Sequence, residues 1–175
     1  TLRGIEPPIW RRILVRGTMT LAQLHQVIQE SFAWQNYHLY TFSVRDQEYE
    51  APDEEATGKS AAKTKLKDLG LEIGNPFEYV YDFGDDWQHE IIVEDRTRPV
   101  SEVFYPVCTD GARAGPREDS GGAHGYMELV RVLQSPEDPD FAEMNAWAGD
   151  DFDPERFDRR AINRILMLAF SRGGA

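Results

Sequence analysis

The chain has 175 residues, 41% of them hydrophobic and 11% aromatic, which suits one domain burying roughly 70% of the surface its unfolded form exposes. Its 31 acidic and 19 basic residues leave a net charge of -12, which repels phosphate backbones and sets nonspecific nucleic-acid binding aside. A single cysteine, Cys108, excludes an internal disulfide framework, and no run is long enough to span a membrane, so a reducing cytoplasmic setting without membrane contact is expected.

From the amino terminus, Glu6-Pro7-Pro8 forces an extended backbone, and Ile9 to Val15 then reads as a strand. The clearest basic grouping, Arg11, Arg12 and Arg16, lies on this segment and is small. Leu21, Leu24, Val27, Ile28 and Phe32 recur at helical spacing behind a cap at Thr18 or Thr20. After a corner at Trp34 to Tyr37, His38 to Val44 and Gln47 to Glu50 predict a hairpin. Residues 51–65 have almost no apolar content and are expected to form a mobile surface loop.

A helical turn over Leu66 to Leu69 ends at Gly70, and Phe77, Tyr79, Tyr81 and Phe83 then alternate with polar or smaller residues as a strand with one aromatic face. Gly84-Asp85-Asp86 supplies a turn, and Gln88 to Asp95 returns with His89, Ile91 and Val93 on one side. Residues 96–123 lack periodicity and read as a long loop of functional interest. Helices are expected over Tyr126 to Leu133, over Asp140 to Trp147, and after Asp153, which can cap with Pro154 at the first helical position. Strands first and helices last predict a single α+β domain, an antiparallel sheet with hairpins packed against an amino-terminal helix and a carboxy-terminal group of helices.

Chemistry-bearing residues gather in two stretches. YDFGDDWQHE places Asp82, Asp85, Asp86, Trp87 and His89 around one turn, where carboxylates and an imidazole can hold a divalent metal or transfer protons. The same residues also serve as ordinary turn chemistry, with Trp87 packed beneath, and the sequence leaves both readings open. The second stretch, EDSGGAHG, offers Glu118, Asp119 and His124 beside glycines that allow close backbone approach or a sharp loop before a helix. It is no Walker loop, since GK[ST] is missing. His38 and His89 begin strands that can be neighbours, so His38, Asp82 and His89 are the metal-ligand candidates. The four histidines form no HExxH pair, and His25, among helical apolar residues, reads as packed core. Cys108 reads as a plain thiol, and GDDFDPE lacks the alternation of a calcium loop.

The segments PPIWRRILV, LHQVIQESFAW, HLYTF, YVYDFGDDWQHEIIVE, YPVC, EDSGGAHGY and DDFDPERFD resemble, in this order, the plasmid pRiA4b ORF-3-like family. The resemblance implies a single α+β domain associated with plasmids and mobile elements. Gly115 and Ser120 stand where many relatives carry cysteine, so a soft-metal site is not expected here, whereas a carboxylate and histidine site stays open. The readings that follow are, in order, a noncatalytic binding domain for a protein or small-molecule partner, a metal-dependent hydrolase or phosphotransfer enzyme, and a DNA-binding or recombination accessory protein.

Overall fold

The computed structural model describes residues 1–51, 57–149 and 151–171. Strand β1 (Trp10–Leu14) is followed by helix α1 (Leu21–Phe32), whose start is a capping box: the Thr20 hydroxyl accepts from Gln23 N, and the Gln23 side chain accepts from Thr20 N. Leu21, Leu24, Val27, Ile28 and Phe32 are buried along one side of α1, at about 1.5–3 kcal/mol each. Strands β2 (Tyr40–Val44) and β3 (Gln47–Glu50) form the expected hairpin, and β5 (Pro76–Tyr81) and β6 (Trp87–Ile92) form a second.

With β4 at Lys59–Ser60, the five-stranded sheet runs β4-β3-β2-β5-β6. Its register stacks aromatic residues on the face beneath α1, with Phe42 opposite Tyr79, Tyr40 opposite Tyr81, and Tyr81 opposite Trp87. The outer edge of β6 is covered by residues 1–3, through Arg3 N to Gln88 O at 2.9 Å and Glu90 N to Thr1 O at 2.8 Å. Among the described residues no helix is long and apolar enough to cross a membrane.

Four expectations are corrected. Residues 57–65 are not a bare loop: β4 (Lys59–Ser60) pairs in parallel with β3, and Ala61 is buried, while 52–56 lie outside the described residues. The long loop contains β7 (Val107–Ala112), which pairs antiparallel with β1 in a separate two-stranded sheet. The aromatic strand ends at Tyr81, because Asp82 takes φ 57° and turns Phe83 out to 58% exposure. The last helix starts later than the Asp153-Pro154 pair suggests. That helix, α4 (Arg159–Ser171), is capped by the Asp158 carboxylate, which accepts from Arg160 N and Ala161 N.

The other helices are α2 (Gly122–Leu133) and α3 (Phe141–Ala148). Helix α4 buries Ile162 and Leu166 against β7, where the Asn163 amide accepts from Cys108 N at 2.7 Å and donates to Cys108 O at 2.9 Å. Asn163 thereby satisfies a strand edge from a helix. The molecule is a single α+β domain.

Candidate functional site

The turn between β5 and β6 divides its acids among separate tasks. Asp82 and Asp86 both adopt left-handed backbone, at φ 57° and 54°. Asp82 Oδ1 accepts from Gly84 N at 3.0 Å, and its carbonyl accepts from Asp86 N at 2.6 Å, so this residue shapes the turn. Its other carboxylate oxygen stays available. Asp86 accepts from the Gln88 amide at 2.6 Å on the exposed side, and Asp85 Oδ2 accepts from Gly121 N at 3.2 Å.

That last bond ties the hairpin to the segment before α2. Gly122, at φ +67°, lies so close that a Cβ on it would sit 2.2 Å from the Asp85 carbonyl oxygen. Only glycine fits this approach. The approach carries Asp119 to the hairpin, where Asp119 Oδ1 lies 3.4 Å and Asp82 Oδ2 3.6 Å from His38 Nε2. Within this trio each residue offers one ligand atom, and the three atoms lie within 4.8 Å of one another. A tetrahedral ion with bonds of about 2.1 Å spaces its ligands about 3.4 Å apart, so the His38 distances suit shared coordination.

Glu118 does different work. Its carboxylate accepts from the Tyr81 hydroxyl at 2.6 Å and from Gln35 N at 2.8 Å, while the same hydroxyl accepts from Tyr37 N at 3.0 Å. Burial, and then the Glu118 carboxylate, raise the Tyr81 hydroxyl above its ordinary pKa and keep it a donor. This clamp holds the 33–38 segment, and so His38, against the sheet. Replacing Tyr81 by Phe is expected to cost about 1–3 kcal/mol, because Tyr37 N and one Glu118 oxygen lose their partners. Urea unfolding of Tyr81→Phe reads that loss, and an unchanged midpoint would refute the clamp.

Trp87 and His89 belong to the core rather than to the trio. Trp87 is 1% exposed, and its ring lies 5.7 Å from that of Trp34. His89 is buried edge-on to Phe32 and Trp34, with Nδ1 3.0 Å from the Trp87 carbonyl. The carbonyl can only accept, so Nδ1 carries the proton. His89 is therefore not with His38 and Asp82, because strand alternation turns it inward. His124 is exposed on α2. Burial holds the Cys108 thiol above its ordinary pKa, which argues against a nucleophile. Gly115 backs onto α1, where a Cβ would lie 2.2 Å from the Phe32 carbonyl oxygen. Asp150 of GDDFDPE lies outside the described residues, and Asp153 caps a turn at Glu155 N.

Beside Glu118 and Asp119 opens a cleft of about 730 Å³ between the end of α1, residues 114–119, and α3 and α4. Its size suits a small ligand. Sequence reasoning did not anticipate it, although Arg11, noted only as one of a basic group, lies along it. The basic group itself is dispersed: Arg12 pairs with Glu94 and Asp110, and Arg16 stacks over Tyr105.

Residues 1–161 match the plasmid pRiA4b ORF-3-like protein family. The uncharacterized protein y4hQ of Sinorhizobium fredii (strain NBRC 101917 / NGR234) is 36% identical over 173 residues, 95% of this chain and 87% of that protein. The crystal structure of MM3350, a protein of unknown function from Methanosarcina mazei Go1, is similar with a TM-score of 0.84 and 39% identity. That similarity covers 91% of this chain and 92% of the other.

Proposed function

The chain belongs to the plasmid pRiA4b ORF-3-like family, and from that premise we propose that its domain is a binding module that takes up a divalent cation at His38, Asp82 and Asp119, with the adjoining cleft as its recognition surface. The observation that carries the reading is the convergence of three ligand atoms from three distant segments within 4.8 Å. Asp82 is fixed by its turn, Asp119 by the approach of Gly122 to Asp85, and His38 by the Tyr81 clamp. One imidazole with two carboxylates suits Mn²⁺ or Zn²⁺ better than the all-oxygen cages typical of Ca²⁺.

The competing account of the same distances is a protonated His38 bridging two carboxylates. Metal analysis of protein purified without chelator, followed by calorimetric titration with Mn²⁺ and Zn²⁺, separates the two. Asp82→Asn is the informative variant, because asparagine tolerates the left-handed backbone and keeps an oxygen for Gly84 N while removing the charge. Affinity is expected to fall by at least about 100-fold with the melting temperature nearly unchanged. Equal affinity in both proteins, or no uptake by either, would end the proposal.

A second reading has one observation in its favour. Three protein ligands with open positions is also the arrangement of catalytic metal centres, where a bound water becomes a nucleophile. Asp119 is 72% exposed and leaves such positions accessible. Turnover of phosphate-ester or amide substrates by the metal-loaded protein, absent in Asp82→Asn, would establish that reading over simple binding.

A further inference from the structure

The cleft contains a cation with no acidic partner. The Arg11 guanidinium lies between two rings, with its carbon 4.9 Å from the centre of Phe32 and 5.1 Å from that of Phe157. Nε donates to Ser31 O at 3.1 Å, and Nη1 donates to Trp10 O at 2.8 Å and Ala112 O at 2.7 Å. Three of its five N–H groups are thereby satisfied. Among the described residues neither N–H of Nη2 has a partner, and no carboxylate lies within 4.0 Å of Arg11.

Of the six acids lining the cleft, Glu30 has no hydrogen-bond or ion-pair partner among the described residues and Asp153 caps the turn at Glu155 N, while the other four are engaged elsewhere. Glu118 is held by Tyr81 and Gln35, Asp119 faces His38, Asp151 lies 3.6 Å from Arg117, and Asp158 caps α4. Burial lowers the Arg11 guanidinium to about 10, still well above neutrality, so it stays charged. A half-buried cation with two free donors offers an oxyanion charge-assisted hydrogen bonds. The opposite wall supplies apolar surface, with Trp147 51% and Ile165 38% exposed.

We propose that Arg11 anchors the carboxylate or phosphate of an anionic ligand whose apolar part lies against Trp147 and Ile165. This rests on the reading of the cleft as a recognition surface, but it does not require the cation at His38. Two aromatic rings and three carbonyls hold the guanidinium in one orientation, so its free nitrogen is presented without further ordering. Lysine cannot reproduce that planar arrangement.

The test is NMR titration of chelator-treated protein with inorganic phosphate and, separately, with phenylacetate, at constant ionic strength set by chloride. The Arg11 Nε–H and Trp147 indole N–H resonances are the readouts. Saturable shifts of Arg11 with either probe support the proposal; phosphate alone assigns a phosphate-bearing ligand, and phenylacetate alone assigns a carboxylate. Arg11→Met keeps the stem between the two rings and should abolish binding. Ile165→Glu leaves Arg11 in place and should weaken binding by at least about tenfold through like charge, which keeps the test decisive if Arg11→Met does not fold. A shift at Trp147 without one at Arg11 overturns the Arg11 assignment and leaves the cleft reading standing. Silence at both residues overturns the anion proposal, and the metal titration judges the cation site separately.

Discussion

Lowering the pH from about 7.5 to about 4.5 is expected to remove about 5 kcal/mol of folding stability, as proton uptake by two buried histidines becomes possible only on unfolding. Burial is the main cause for both: it lowers His25 from 6.5 to about 4 and His89 from 6.5 to about 3. Both folded pKa values are depressed, so the unfolded chain binds more protons wherever the pH is below 6.5. Stability from these residues is complete above that value, falls as the pH drops towards 4 for His25, and continues falling towards 3 for His89. Each contributes about 1.4 kcal/mol per pH unit inside its window.

The neutral forms are built into the core. His25 stacks on Tyr40 with ring centres 3.7 Å apart, lies 2.7 Å from the Tyr79 hydroxyl through Nδ1, and lies 2.7 Å from Asn36 Oδ1 through Nε2. Asn36 Oδ1 can only accept, so Nε2 carries the proton and Nδ1 accepts from Tyr79. A second proton on His25 would turn Nδ1 into a donor and leave the Tyr79 hydroxyl, which already accepts from Gln29 Nε2, without the acceptor for its own proton. A loss of about 5 kcal/mol is the whole stability of many domains, so acid unfolding is expected near pH 4 to 5. Urea unfolding across a pH series measures the slope, and His89→Phe, which keeps a ring in the same space, should reduce it by about half. A flat profile between about pH 6.5 and 4.5 would contradict the assignment of neutral buried histidines.

Gly122→Ala is expected to cost about 2–5 kcal/mol and to abolish cation uptake together with stability. A left-handed backbone costs a side chain about 1–2 kcal/mol, and forcing a methyl into packed structure costs about 1–3 more. At φ +67° with the Asp85 carbonyl 2.2 Å from the added carbon, Gly122 meets both penalties. Relief requires the 118–122 segment to lift from the hairpin, which takes Asp119 away from His38 and Asp82. Gly74 is the control, because its φ is +84° but nothing lies within 4 Å of an added Cβ. Gly74→Ala should show the dihedral cost alone and bind the cation normally. Equal unfolding midpoints for the two variants would refute the close approach as the element that assembles the trio.

Local patterns made α1, the β2–β3 hairpin and the β5–β6 hairpin legible. In α1 the apolar residues, the cap at Thr20 and the partner Gln23 all lie within one segment. The aromatic alternation of β5 likewise needs no distant residue to be recognised. Strands β4 and β7 were illegible for the opposite reason. KS and VCTDGA have little strand propensity of their own and become strands by pairing with β3 and β1. Asp153-Pro154 carries a valid helix-start signal that caps a turn instead, because Asp158 supplies the cap at the observed start of α4.

The candidate site divides along the same line. The acids and the histidine of YDFGDDWQHE and the acids of EDSGG were visible as chemical groups, and both stretches are among the segments that carry the resemblance to the family. Their partnership was not visible. Strand alternation sent His89 into the core, left-handed turns separated Asp82 from Asp85 and Asp86, and a glycine-backed contact joined Asp119 to His38 across more than 80 positions of sequence. The sequence by itself determined the α+β class, helix α1, the two hairpins and the acidic character, because these depend on local periodicity and composition. Only the tertiary structure decided which polar groups share a site and which arginine is held between two rings in a cleft, because those depend on long-range packing that no local pattern encodes.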